Sequence, residues 1–306
     1  MPVDNQSGRR RRGRWYYWAM EPISVAPVAQ PLTTVIDPAE LAARLADPDW
    51  LVVDCRFDLF DPAAGESRYL AAHIPGAVYA HLDRDLSAAR EPDGRGGRHP
   101  LPPPEEMARR FGALGIDGRV QVVAYDDQSG HYAARLWWML RYLGHEAVAV
   151  LDGGWPAWTA AGLPVHGGRE SRPGRQFRGA PRDGWLAGPE AVAAAGRVVD
   201  ARAPERYRGE VEPLDPVAGR IPGAANRPYT ANWTDDGRWR SPEALRAELS
   251  ALLGETPAGE AVFYCGSGVS ACVNLLALAR AGLPPGRLYP GSWSEWSRLG
   301  RPVERG

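Results

Sequence analysis

The feature that most constrains this chain is that it repeats itself weakly, at offsets near 140 residues. Each half holds an apolar run ending in Asp-x-Arg: Leu51-Val52-Val53-Asp54-Cys55-Arg56, then Val198-Val199-Asp200-Ala201-Arg202. His73-Ile74-Pro75-Gly76-Ala77 is matched by Arg220-Ile221-Pro222-Gly223-Ala224, and Val122-Val123-Ala124-Tyr125-Asp126 by Ala261-Val262-Phe263-Tyr264-Cys265. Last, Leu151-Asp152-Gly153-Gly154-Trp155-Pro156-Ala157-Trp158 pairs with Tyr289-Pro290-Gly291-Ser292-Trp293-Ser294-Glu295-Trp296. Four matches in one order imply two copies of one domain, and 306 residues give each copy room for its own core. Within each half, short β-branched runs alternate with helix-like segments such as 133–143 and 271–281. That alternation predicts an α/β fold, each copy a mostly parallel sheet covered by helices. The Gly-, Arg- and Pro-rich stretch 166–184 reads as a linker, which sets the domains at 31–165 and 185–306.

The third match locates the chemistry. Where the second half has Cys265, the first has Asp126, which cannot accept a sulfur atom. Cys265-Gly266-Ser267-Gly268-Val269-Ser270 follows an apolar strand-like run and precedes a helix-like one. A thiol at a helix N-terminus meets backbone N–H groups without intrahelical partners and the positive end of the dipole. Both favour the thiolate, the nucleophilic form. The glycines let several N–H groups converge on one anion. Ligands of open α/β sheets bind at the carboxyl ends of strands, where Cys265 falls. A Cys-dependent phosphatase would need an Arg six positions after the Cys, and that position is Ala271. Cys272 and Cys55 read as buried and inert.

The loop Cys265-Gly266-Ser267-Gly268-Val269-Ser270 resembles the active-site loop of the two-domain sulfurtransferases, the rhodaneses and 3-mercaptopyruvate sulfurtransferases. The neutral Gly266-Ser267 pair is closer to the mercaptopyruvate branch, since thiosulfate enzymes carry basic residues there. The resemblance implies two tandem rhodanese-like domains, the first supplying structure and one wall of a cleft, the second catalytic. It implies double displacement through a Cys265 persulfide without a cofactor. The N–H groups of Gly266, Ser267, Gly268, Val269, Ser270 and Ala271 would hold the charged sulfur. Ser267 matches the loop serine that in mercaptopyruvate enzymes acts with a His and an Asp of the N-terminal domain. By position these are expected to be His73 and Asp61, although Asp61-Pro62 also reads as an ordinary turn. Arg206, in Glu205-Arg206-Tyr207-Arg208-Gly209, matches the substrate-binding Arg, whose fork suits a carboxylate. Mercaptopyruvate enzymes carry a second Arg near Glu212-Pro213, where this chain has Leu214; Arg220 is a candidate substitute. The expected donor is 3-mercaptopyruvate, with thiosulfate the alternative that Leu214 keeps open, and the acceptor a thiol, cyanide or a thioredoxin-like protein. A reading from another class is a non-catalytic module for binding or redox sensing, against which the intact Cys loop argues. Asp54, Arg56, Asp200 and Arg202 recur in both halves and are expected to pin strand ends.

A formal net charge of −1 gives no global field for nucleic acid or anionic membrane. No apolar run approaches the ~20 residues that span a bilayer. Three cysteines make no disulfide framework and no zinc spacing, which points to a reducing cytoplasm. Residues 1–30, with Arg9 to Arg12, Arg14 and Trp15 to Trp18, read as a disordered basic tail.

Overall fold

The computed structural model describes residues 30–306, so the expected N-terminal tail, but for its last residue, lies outside the described part. Two parallel sheets organise the rest. The first comprises β1 (Val35–Ile36), β2 (Trp50–Asp54), β3 (Val78–Tyr79), β4 (Gln121–Tyr125) and β5 (Val148–Leu151), ordered β1-β5-β4-β2-β3. The second comprises β6 (Val198–Asp200), β7 (Ala225–Asn226), β8 (Val262–Tyr264) and β9 (Arg287–Leu288), ordered β7-β6-β8-β9. Read from the other edge, the first sheet without β1 has the same order as the second. The missing fifth strand survives as one parallel bridge, Leu186 to Leu288. The central strands are apolar runs buried on both faces, as helix-covered parallel strands require. The helices read from the sequence run Ala133–Tyr142 and Ala271–Arg280, each following its central strand.

The repeated Asp-x-Arg pairs are strand-end pins. Arg56 forks onto Asp54 at 2.6–3.1 Å and lies over the Trp155 ring. Arg202 does the same with Asp200 and Trp293. The Ile-Pro-Gly turns dock alike too: the Ile74 N–H donates to the Tyr125 hydroxyl, and the Ile221 N–H to that of Tyr264.

The segment 166–184 is not a free tether. Arg175 and Ala180 donate backbone N–H bonds to Gly112 and Leu143, and Phe177 packs edge-on against Phe111. Helix Ala133–Tyr142 of the first domain packs on helix Ala271–Arg280 of the second, and one apolar core runs through both domains. This contact sets the second domain's Cys loop against the first domain.

Candidate active site

β8 delivers Cys265 to the carboxyl edge of the second sheet, and the chain turns through Gly266–Ser270 into helix Ala271–Arg280. Gly268 sits at φ +74°, and a Cβ there would fall 2.4 Å from the Pro290 carbonyl oxygen, so the turn demands glycine. The short helix Ser292–Trp296 holds the loop's other side. Its Trp293 and Ser294 N–H groups donate to the carbonyls of Cys265 (3.0 Å) and Gly266 (2.9 Å). Ser292 Oγ accepts from the Cys265 N–H. Among the described residues, no backbone carbonyl accepts from the N–H groups of Gly266 to Ala271.

The first domain shows what such a turn holds. Asp126, in the place of Cys265, accepts from the N–H groups of Gln128, Gly130, Tyr132 and Ala133 at 2.6–2.9 Å. Burial pushes this carboxyl up to about 6, and the four N–H bonds oppose that rise. The same fold of chain thus cradles an anion in the first domain and surrounds a thiol in the second.

Cys265 opens onto a cavity of about 260 Å³ between the domains. From the first domain comes His99, whose Nδ1 lies 2.8 Å from Ser267 Oγ. Its Nε2 lies 3.3 Å from Asp83 Oδ1, close enough for an ion pair but off the line of a good hydrogen bond. Burial lowers the His99 pKa against the raising effect of Asp83, and Asp83 is itself lowered by His99. A neutral imidazole with Nε2–H toward Asp83 leaves Nδ1 free to accept from the serine hydroxyl.

This corrects two expectations. His73 is fully buried outside the cavity, with Nδ1 2.8 Å from the Tyr69 carbonyl oxygen and its ring stacked on Tyr69. Asp61 caps helix Pro62–Ala71, accepting from the Ala63 N–H. Neither lines the cavity: His73 adjoins an Ile-Pro-Gly turn that docks a strand end in both domains, and Asp61 is taken up by its helix cap. His99 and Asp83 went unread in the sequence. A usable signal existed: residues 185–306 contain no histidine, and His99 lies outside every repeated motif.

Arg206 lines the cavity from helix Pro204–Arg208 and forks onto Glu212 at 2.7 and 2.9 Å. Leu214 contributes only apolar wall. Arg220 turns away, bound to Glu304 and the Gly306 carbonyl and stacked on Tyr207, so it replaces nothing in the cavity. Arg98, next to His99, enters instead. Its Nη1 donates to Asp215 at 2.9 Å. Its Nη2 and Arg206 Nη1 come within 3.1 and 3.4 Å of where a Gly266 Cβ would stand. Two guanidiniums from opposite domains thus flank the residue after the nucleophile. Between them, Arg98, Arg206 and Arg298 share Glu212 and Asp215, leaving excess positive charge beside the thiol. His131 forms another wall, packed against Tyr132 and Tyr229 and pushed down to about 4 by burial although part of it is open to the cavity. Cys55 and Cys272 are buried elsewhere; burial pushes the Cys272 thiol up to about 12 and Cys55 well above its ordinary value.

Comparison with known proteins fits this picture. Residues 37–161 and 186–299 each match the Rhodanese-like domain. The chain is 52% identical over 275 residues to a protein of Pseudomonas aeruginosa named "Probable 3-mercaptopyruvate sulfurtransferase", covering 87% of this chain and 96% of that one. It is 43% identical over 281 residues to the "Putative thiosulfate sulfurtransferase SseB" of Mycobacterium tuberculosis, covering 89% and 97%. Among solved structures, the 3-mercaptopyruvate sulfurtransferase of Leishmania major superposes with a TM-score of 0.79 at 35% identity, covering 90% of this chain and 77% of that one. With two Rhodanese-like domains, one intact Cys loop and relatives of this similarity along nearly its whole described length, the chain belongs to the two-domain sulfurtransferases of the rhodanese family.

Proposed function

We propose that Cys265 carries sulfur, as a persulfide, from 3-mercaptopyruvate to a thiol or cyanide. The observation that carries this reading is the 2.8 Å contact between Ser267 Oγ and His99 Nδ1 beside the nucleophile. A serine–histidine pair beside a nucleophile suits a step in which a proton moves.

With 3-mercaptopyruvate one must. The Cys265 thiolate attacks the donor sulfur, an S–S bond forms, and the S–C bond breaks with its electron pair leaving on the methylene carbon as the pyruvate enolate. The donor's thiol proton ends on that carbon, and Ser267 with His99 passes it across. Arg206 and Arg98 hold the donor's carboxylate, and the N–H groups of Gly266 to Ala271 hold the persulfide charge. The acceptor then attacks the outer sulfur, and the S–S electron pair returns to Cys265. No step calls for a cofactor. The three unpaired cysteines suit a reducing, cytoplasmic setting, in which a small thiol or a thioredoxin-like protein serves as acceptor.

Thiosulfate is the second reading, favoured by apolar Leu214 where mercaptopyruvate enzymes carry an Arg. Its sulfite leaves with the electron pair of an S–S bond and needs no proton. Sulfur transfer to cyanide from each donor therefore separates the two. Cys265→Ser is expected to be inactive with both. Ser267→Ala is expected to lose about 100-fold or more with mercaptopyruvate and under about threefold with thiosulfate. An active Cys265→Ser enzyme, or a Ser267→Ala enzyme unimpaired with mercaptopyruvate, overturns the reading.

A further inference from the structure

We infer that Arg135, on the N-terminal domain's helix Ala133–Tyr142, is a positioning residue that keeps the Cys265 loop, His99 and Asp83 in register. The inference rests on the proton relay proposed above. Arg135 is fully buried, and its guanidinium grips three backbone carbonyls from three separate segments. Nη1 donates to Gly268, inside the Cys265 loop, at 3.0 Å. Nη2 donates to His99 itself at 3.3 Å and, at a long 3.5 Å, to Leu86. Leu86 immediately follows helix Leu82–Asp85, which carries Asp83. One rigid fork therefore touches every element of the relay, from beneath and from across the domain boundary.

This is an expensive choice of side chain if packing were its only task. No carboxylate among the described residues pairs with Arg135, its Nε has no partner, and burial lowers its pKa. The opposing groups are the thiols of Cys272 and Cys265. An apolar side chain would fill the same space without a buried charge. What only a planar fork supplies is simultaneous bonding to carbonyls in divergent directions. Ser294 makes a narrower version of the link, donating its N–H to Gly266 and accepting from the Arg98 N–H. Ser294 does not reach the Asp83 helix; Arg135 does.

Reactions of this kind lose about 100-fold when reacting groups shift by about 1 Å. Arg135→Met is therefore expected to lower transfer from 3-mercaptopyruvate about 30- to 100-fold, and Arg135→Lys, whose ammonium can still reach one of the carbonyls, about tenfold. In a Ser267→Ala background the same Met substitution is expected to cost under about threefold more, since the relay it aligns is already gone. Circular dichroism checks the fold of each variant. If the Met variant does not fold, the Lys variant runs the same cycle, and its smaller loss must likewise vanish. An equal loss in both backgrounds would make Arg135 general scaffolding, and a parent-like rate would leave it no role; either overturns the inference. A Ser267→Ala enzyme as fast as the parent would instead sink the relay itself.

Discussion

Asp126 and Cys265 stand at one place in two copies of one turn, each buried at the end of a central strand. The carboxylate satisfies its own N–H donors and ends the matter there, whereas the thiol is the group proposed to take up a transferable atom. The histidines show a similar division of labour. His99 is expected to carry proton transfer, so His99→Asn should cut mercaptopyruvate turnover by about 100- to 1,000-fold with stability nearly intact. His73→Asn removes a buried hydrogen bond to Tyr69 and should cost about 1–2 kcal/mol of stability, read by urea unfolding, while activity stays within about threefold. The reverse pattern would restore His73 to the site. Cys265 and Ser267 were legible because loop chemistry is local: strand, thiol, glycines and helix lie within a few residues. His99 was not, since it meets Ser267 across 168 residues, and nothing in its neighbourhood reports that distance. His73 misled because it sits in a motif that the second half repeats with Arg220; a feature present in both copies marks a place in the fold before it marks chemistry.

Strand and helix alternation was readable because apolar periodicity is a property of single elements, and helices Ala133–Tyr142 and Ala271–Arg280 fall within a residue or two of expectation. The segment carrying Arg98 and His99 has no such periodicity and is held by partners distant in sequence. The Gly96 N–H donates to Glu295 Oε1 at 2.8 Å and the Arg98 N–H to Ser294 Oγ at 2.7 Å. The helix Ser292–Trp296 thus fastens the His99 segment and the Cys loop together. At the heart of that loop, Gly268→Ala adds a Cβ 2.4 Å from Pro290 in a backbone conformation unfavourable for alanine. The loop must move, and sulfur transfer from either donor should fall at least about tenfold. Gly223 has nearly the same φ, +73°, with nothing within 4 Å of its Cβ position, so Gly223→Ala carries the backbone penalty alone. It should melt lower than the parent yet transfer sulfur normally. Equal activity of the two variants would mean that loop geometry is not limiting.

Over the whole molecule, the first domain supplies one wall of the cavity that Cys265 opens onto. The first domain brings Arg98, His99, Asp83 and Arg135; the second brings Cys265, Ser267 and Arg206. The repeat made the two sheets legible, but repeats describe domains one at a time and carry no information on how they face each other. Because one apolar core crosses the boundary, residues 30–306 should unfold in a single calorimetric transition, its van't Hoff and calorimetric enthalpies agreeing. Two resolved transitions would mean that the domains are energetically independent. A last consequence follows from the filled cradle at Asp126. If Cys265 carries sulfur as proposed, the molecule, with one of its two cradles filled by its own Asp126, stores a single sulfur atom per chain. Donor and acceptor would then meet that sulfur in one 260 Å³ chamber, so an excess of either is expected to slow turnover, read as substrate inhibition in initial rates.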